Sequence, residues 1–256
     1  MNARDGALLL LPTLLGEAAP QQVLPEGTLA LARETTLFLA ENARSARAFL
    51  KTIAHPRPIA ELGIKEIGHA PDPSRFDEWL APVRAGRSVA LLSEAGCPAV
   101  ADPGAGLVAH AHRLGLRVRP LVGPSSPLLC LMASGMNGQR FRFVGYLPQD
   151  RHALAAAIGE LERASGGEET QLFIETPYRN ERLLQALLDH ARPETRLAVA
   201  ADLTTAGETV ESRPIRDWRG RDFTRYAKRP ALFVLQASGI RRDDVPVTGP
   251  LRQASS

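Results

Sequence analysis

The fold is decided by the stretch Ser93-Glu94-Ala95-Gly96-Cys97-Pro98-Ala99-Val100-Ala101-Asp102-Pro103-Gly104. It follows an apolar run at 88–92 and precedes a run with helical periodicity at 104–114, which predicts strand, loop and helix. In open α/β sheets, ligands bind beyond the carboxyl ends of the strands. Glycine lets a ligand approach the backbone, and two prolines stiffen the loop. We therefore predict a ligand-binding loop and not a simple chain reversal.

The rest of the first half repeats this order of strand, loop and helix. Short apolar runs alternate with longer helical stretches, which predicts a mostly parallel sheet with helices on both faces. The predicted strands are 7–11, 36–40, 88–92 and 117–121, and the predicted helices are 42–53, 76–85, 104–114 and 125–134.

The second half has a different pattern. Two glycines and an asparagine at 135–138 end a helix, and we place a domain boundary there, giving domains at 1–138 and 139–238. Strands at 196–201 and 209–213 follow each other without a helix, which predicts an antiparallel pair and an α+β domain. A helix is predicted at 215–227, and the tail 239–256 is predicted to be disordered.

Composition excludes several classes of protein. The 256 residues are 44% hydrophobic and 23% charged, with a formal net charge of +3, typical of a globular chain and too small an excess to coat nucleic acid. Two cysteines, Cys97 and Cys130, exclude a disulfide framework. The apolar run 7–11 is too short for a membrane span. A secretory signal is not expected either, because Asp5 stands where its positive charge should be, and the stretch 7–15 meets Pro12 without a convincing cleavage site. We expect a cytoplasmic protein without membrane contact.

Other loops also follow predicted strands and carry small or polar residues. In the first half they are 12–16, 40–44 and 121–127, and we expect them to converge with 93–104 on one site. Ser125 fits either a helix cap or a ligand contact. In the second half, Glu175 and Arg179 follow a strand and either pair with each other or serve a site.

Two motifs are rejected. Residues 104–109 match G-x-G-x-x-A, but the glycines lie too far from the strand and no acidic residue follows at the required distance, so a nicotinamide site is excluded. The six histidines are scattered, and His110 and His112 point to different helix faces, so we predict no metal site.

The segment 212–230 is rich in arginine, with interleaved aromatic residues. Such a mixture can bind phosphates and stack on bases. The alternative is a solvated helix whose aromatic side chains face the core. Periodicity alone leaves both interpretations open.

These motifs, in this order, resemble the tetrapyrrole methylase superfamily, and most of all its branch of small-subunit ribosomal RNA ribose 2′-O-methyltransferases. The family's S-D-A-G-T-P-x-x-x-D-P-G is similar to 93–104, its A-E-D-T-R to 40–44, its P-G-P-S-A to 122–126, and its F-x-G-F-L-P to 143–148. Its Y-E-S-P-H-R is similar to 174–179. Glu94, Cys97 and Tyr178 depart from those motifs, and the family's H-x-H-N-E is replaced by 66–71.

The resemblance implies a two-domain α/β fold that binds S-adenosylmethionine and transfers its methyl group without a metal. It implies a homodimer, with RNA or a ribosomal subunit as the favoured acceptor. A tetrapyrrole or other small-molecule methyltransferase is an alternative, as is a non-catalytic protein that only binds S-adenosylmethionine.

The resemblance also implies site residues. The donor-binding candidates are Pro12, Ser93, Ala95, Gly96, Cys97, Val100, Ala101, Asp102, Pro124, Ser125 and Ser126. The catalytic candidates are Asp102, Glu41 and Arg179, because a hydroxyl acceptor benefits from a base or an orienting carboxylate. A structural alternative for Asp102 is to cap the helix that begins at Gly104.

Overall fold

The computed structural model describes residues 6–166 and 168–237, which form two compact units. The first unit extends to Leu129 and includes Asp202–Thr209, whereas the second begins at Cys130. This division falls inside a helix, Ser126–Ser134, and the predicted boundary at 138 follows the end of that helix. The predicted disordered tail lies outside the described residues.

A parallel five-stranded sheet forms the centre of the first unit. Its strands are β1 (Ala7–Leu10), β2 (Leu37–Ala40), β3 (Gly63–Glu66), β4 (Val89–Leu92) and β5 (Arg117–Pro120). Their order is β3-β2-β4-β1-β5, and each neighbouring pair is parallel. The expected parallel sheet is confirmed.

Helices cover both faces of this sheet. The helices up to residue 134 are α1 (Pro20–Val23), α2 (Glu26–Glu34), α3 (Ala43–Thr52), α4 (Phe76–Arg84), α5 (Ala105–Arg113) and α6 (Ser126–Ser134), of which α6 spans the division between the two units. One core joins Leu29 and Leu50 of α2 and α3 to Leu9 of β1. The opposite core joins Trp79 and Leu107 of α4 and α5 to Leu8. Because successive strand residues point to opposite faces, a strand buried on both sides must be apolar throughout.

The second unit contains a mixed sheet. Its strands are β6 (Phe141–Tyr146), β7 (Thr170–Glu175), β8 (Arg196–Ala201), β9 (Thr209–Pro214) and β10 (Ala231–Gln236), in the order β6-β7-β10-β8-β9. β6 and β7 are parallel, whereas β10 is antiparallel to both β7 and β8. The helices are α7 (Arg151–Ser165), α8 (Asn180–His190) and α9 (Ile215–Trp218). The α+β expectation is confirmed, and β8 and β9 are neighbours.

The predicted helix at 215–227 is wrong. Helix α9 ends at Trp218, Gly220 adopts a positive φ of 75°, and only a short 3-10 turn follows at Thr224–Tyr226. Trp218 and Tyr226 are fully buried, and the indole of Trp218 donates a hydrogen bond to the Leu197 carbonyl at 3.0 Å. Burying both aromatic side chains together therefore takes precedence over helical periodicity.

Several arginines of the segment 212–230 form ion pairs. Arg213, Arg221 and Arg225 surround the carboxylate of Glu211, and Arg216 pairs with Glu194. The aromatic side chains of Trp218, Phe223 and Tyr226 face the core of the second unit. This is the alternative to a nucleic-acid-binding role for the segment. In the described part of the chain, no helix is both long and apolar enough to cross a membrane.

Gly123 provides a test of the packing between the ends of β1 and β5. A Cβ at Gly123 would lie 2.4 Å from the Cβ of Pro12, so we expect Gly123→Ala to lower the free energy of unfolding by about 1–3 kcal/mol. Denaturant unfolding measures this. Gly27→Ala is the control, because a Cβ there meets no atom within 4 Å. Equal stability of the Gly123 variant and the wild type would contradict the packing.

Candidate functional site

The candidate site lies where β1 and β4 end side by side. The chain leaves β1 toward the core that contains α2, and leaves β4 toward the opposite core that contains α5. Neighbouring parallel strands whose connections leave to opposite faces open a crevice at their carboxyl ends. The loops 12–16 and 93–104 follow these two strands and border this crevice.

The loop 93–104 is held in an unusual backbone conformation. Ala99 and Ala101 have φ values of 65° and 64°, and Gly96 and Gly104 have φ values of 72° and 132°. The left-handed region costs an alanine of the order of 1–3 kcal/mol, and such strain concentrates at functional sites. The amide of Ala99 donates to the Pro103 carbonyl at 3.3 Å, which helps to hold this conformation.

Neighbouring loops fix this loop from two sides. The Thr13 amide donates to the Gly96 carbonyl at 2.9 Å, and the Cys97 thiol donates to the Pro124 carbonyl at 3.3 Å. A Cβ on Gly96 would lie 3.0 Å from Leu15 and 3.3 Å from the Pro124 oxygen. The structure therefore brings together three of the loops that the sequence predicts to converge.

Pro12 and Pro124 are buried, so they shape the site through their packing. Burial, and next the charge of Asp102, raise the pKa of the Cys97 thiol, which stays protonated and is a poor nucleophile. Ser93 is buried, with its hydroxyl 3.4 Å from the carbonyls of Ala95 and Gly96.

The other donor-binding candidates differ in exposure. Ala95, Val100 and Ala101 are exposed. Ser125 and Ser126 lie half-buried at the start of α6, where the Ser125 carbonyl accepts the Leu129 amide at 2.9 Å. These five candidates therefore lie in the converging loops 93–104 and 121–127 or at their surface.

A cluster of carboxylates surrounds one histidine beside this loop. Glu41, directly after β2, is only 7% exposed, and its Oε1 lies at a hydrogen-bond distance of 2.5 Å from His69 Nδ1. Its second oxygen accepts the Glu94 amide at 3.1 Å. The Glu94 carboxylate accepts from the Ser45 hydroxyl at 3.0 Å. The loops after β2, β3 and β4 therefore meet at one point.

The pKa of Asp102 depends on its burial and on the charges of this cluster. Burial first, and the carboxylate of Glu41 second, raise the pKa of Asp102 to about 6, and Glu94 adds to the increase. The Ser93 hydroxyl and His69 act in the opposite direction. A carboxyl whose pKa is raised by other carboxylates indicates excess negative charge, which a bound cation would relieve.

The capping alternative for Asp102 is wrong. Helix α5 begins at Ala105, its N-cap residue is Gly104, and no side chain caps it. A cap at Asp102 requires Pro103 and Gly104 to lie in the first turn of the helix. Gly104 instead has a φ of 132°, which is not helical.

Arg179 belongs to the second unit and is paired there. Its guanidinium donates to Glu175 and, at 3.0 Å, to the Thr176 hydroxyl. Glu175 and Arg179 therefore pair with each other, as one of the two interpretations of the sequence predicts. The catalytic role of Arg179 stays a prediction.

Sequence reasoning missed His69. It lies 28 residues from Glu41, at a place where the family's histidine-containing motif has no counterpart in this chain. Only its position directly after β3, the strand next to β2, could have indicated it.

Ligand atoms of Glu41, His69 and Glu94 lie within 4.8 Å of one another, which is close enough for all three to reach one metal ion. However, a metal bound at about 2.0–2.2 Å by two ligand atoms holds those atoms roughly 3 Å or more apart. The 2.5 Å between Nδ1 and Oε1 is a hydrogen-bond distance.

Comparisons with known proteins show the family of this chain. Residues 24–218 match the family model described as Tetrapyrrole (Corrin/Porphyrin) Methylases. The ribosomal RNA small subunit methyltransferase I of Mesorhizobium japonicum is 32% identical over 83% of this chain and 68% of its own length. The protein of the same name from Pseudomonas aeruginosa is 31% identical over 85% and 74%.

Solved structures show the same fold. The uroporphyrin-III-C-methyltransferase from Thermus thermophilus gives a TM-score of 0.52 at 21% identity, covering 91% of this chain and 92% of that one. The methyltransferase CobJ gives 0.60 at 21% identity, covering 93% and 96%.

The parallel sheet with a glycine- and proline-rich loop at its carboxyl edge, followed by a unit with a mixed sheet, is the α/β fold that this chain shares with these solved structures. The chain belongs to the tetrapyrrole methylase family, and it is an S-adenosylmethionine-dependent methyltransferase.

The chemistry of the site fits this donor. S-adenosylmethionine carries a positive sulfonium and a positive ammonium group, and the loop 93–104 is lined by the carboxylates of Glu41, Glu94 and Asp102. Asp102 must be ionised to stabilise the cation. Because its pKa is about 6, it is only about one-tenth ionised at pH 5.

We expect donor affinity to rise about tenfold from pH 5 to pH 7, because Asp102 ionises over this range. Isothermal titration calorimetry with S-adenosylmethionine measures this. Asp102→Asn should bind the donor more weakly at pH 7 and lose most of the pH dependence. Asp77→Asn, on α4, is the control. An unchanged pH profile in Asp102→Asn would remove this carboxylate from the donor site.

Proposed function

We propose that this methyltransferase modifies the RNA of the small ribosomal subunit and that the acceptor is a ribose 2′-hydroxyl. The single observation that carries the proposal is the similarity to relatives named ribosomal RNA small subunit methyltransferase I, which extends over more than four-fifths of the chain. The choice of the ribose rests on the motifs at 40–44 and 93–104.

The site supports the donor half of this reaction. S-adenosylmethionine, when bound, supplies a methyl group already activated by the sulfonium. The chain's task is then to align donor and acceptor and to exclude water. The strained loop 93–104, fixed through Thr13 and Pro124, is ordered before binding, which lowers the entropic cost of alignment.

The carboxylates have a defined part in this alignment. Asp102 lies within the loop and Glu41 lies buried behind it, so the negative charge is fixed in place. Preorganised charge of this kind does not have to reorient during the reaction. We assign Asp102 to the donor cation, and we keep Glu41 as an orienting carboxylate.

The RNA acceptor is tested in a strain that lacks this protein. We expect small-subunit RNA from that strain to lack one methyl group that purified protein restores from methyl-labelled donor. A methylated 2′-oxygen cannot attack the neighbouring phosphodiester, so the modified position should resist alkaline cleavage. Large subunits are the control acceptor.

Two results would contradict this function. Donor binding without transfer to any RNA would identify a binding protein that retains the donor site. Transfer to an alkali-sensitive position would place the methyl group on a base instead of the ribose.

We also propose that the protein works as a homodimer in the cytoplasm. Leu128 and Met132 of α6 are exposed one helical turn apart, and the nearby Val122 is exposed as well. Contiguous exposed apolar side chains are typical of protein interfaces. These residues offer a surface that a second copy of the chain can cover.

Charges placed on this surface should separate the dimer. We expect the double variant Leu128→Glu and Met132→Glu to sediment as a monomer in analytical ultracentrifugation, because burying two carboxylates in an apolar interface is costly. Leu114→Glu, at the end of α5, is the control and should remain dimeric. A monomeric wild type would contradict the dimer itself.

A further inference from the structure

We propose that His69, held by the buried carboxylate of Glu41, accepts the proton of the acceptor hydroxyl during methyl transfer. The role rests on the proposed methylation of a ribose, since a ribose hydroxyl is a poor nucleophile that benefits from a base. Glu41 then acts as a positioning residue and not as the base itself.

The hydrogen bonds define which nitrogen is free. An ionised carboxylate can only accept hydrogen bonds, so the 2.5 Å contact between Glu41 Oε1 and His69 Nδ1 places the proton on Nδ1. The neutral imidazole then has its lone pair on Nε2. This is the arrangement by which a carboxylate orients a histidine base in acyl-transfer enzymes.

Burial separates the roles of the two residues. Glu41 is 7% exposed and both of its oxygens are occupied, by His69 and by the Glu94 amide, so it cannot reach a large acceptor. The side chain of His69 is 77% exposed, so an RNA can approach its ring. Asp102 is half-buried within the donor loop.

The backbone places His69 at the edge of the donor site. The Ile67 amide donates to the Ala40 carbonyl at 2.8 Å, which extends the pairing of β3 with β2 up to the residue before Glu41. Gly68 then adopts a φ of 70° and turns the chain. The imidazole consequently meets Glu41 and Glu94, and it lies close enough to Asp102 to influence that carboxyl.

The transfer step needs no reactant besides the methyl donor, the ribose hydroxyl and His69. The Nε2 lone pair takes the hydroxyl proton while the ribose oxygen forms a bond to the methyl carbon. The carbon–sulfur bond breaks, and its electron pair stays on sulfur. The products are the methyl ether, the demethylated donor and an imidazolium, which releases its proton to water.

The charges around His69 favour this step. The titratable groups that the described structure places against the ring are Glu41, Glu94 and Asp102, all of which carry negative charge when ionised. They stabilise the imidazolium that forms as the proton is transferred.

Kinetics of His69→Asn test the role directly. We expect kcat with small ribosomal subunits to fall by about 10²- to 10⁴-fold, because asparagine cannot accept the proton. Donor affinity by calorimetry and the melting temperature should stay close to wild type, because the side chain is exposed.

His110→Asn is the matched control. His110 also contacts a carboxylate, Asp77 at 3.1 Å, in the same unit, but it lies on α5 and is not part of the group of Glu41, His69 and Glu94. We expect its kcat to be unchanged.

Glu41→Gln tests positioning with two readouts that a merely structural role would not move. Nitrogen-15 NMR of the histidine should report the Nδ1–H form in the wild type and a mixture of tautomers in the variant, with no acceptor present. The pH of half-maximal kcat should move lower, because removing the negative charge disfavours the imidazolium.

The outcomes separate this inference from the proposed function. If the wild type is active and His69→Asn turns over equally fast, the role of His69 is overturned and the proposed function stands. Inactive wild type on all RNA would overturn both. If EDTA abolished the activity of the wild type and a divalent ion restored it, Glu41 and His69 would hold a metal ion and would not share a proton. An Nε2–H tautomer in the wild type would also overturn the proposal.

Discussion

The parallel pairing of β1 with β4 is the constraint on which the rest of the first unit depends. Leu8, Leu9 and Leu10 lie opposite Val89, Ala90 and Leu91, and this register aligns the carboxyl ends of the two strands. The loops that follow must therefore leave from one edge. Their helices pack on opposite faces of the sheet, and the two loops are joined at this edge by the hydrogen bond from the Thr13 amide to the Gly96 carbonyl. A ligand that binds beyond the strand ends can approach the backbone of these loops.

The site concentrates features that cost stability. Two alanines occupy the left-handed region, and burial together with the two carboxylates of Glu41 and Glu94 raises the pKa of Asp102. Such features persist where the surrounding structure holds them in place. Here the two cores and the contacts from Thr13 and Pro124 do so. A rigid negative site is suited to a cationic methyl donor.

Sequence reasoning succeeded where one local pattern determined the outcome. Alternating apolar and helical runs predicted the parallel sheet, because a strand buried on both faces must be apolar at every position. It failed at 215–227, where charged residues at helical spacing predicted a helix. Burial of Trp218 and Tyr226 decided that segment instead, and no local pattern encodes which aromatic side chains meet in a core.

The sequence by itself determined the class of fold, because the alternation of apolar and helical runs encodes it. The resemblance of its motifs to those of a known family made the loop 93–104, Glu41 and Asp102 candidates for the site. Only the tertiary structure decided that Asp102 caps no helix and that His69 meets Glu41. The contact between these two residues depends on β3 lying next to β2. Strand order is set by the packing of the whole sheet, so neighbours across strands are invisible in the linear spacing of residues.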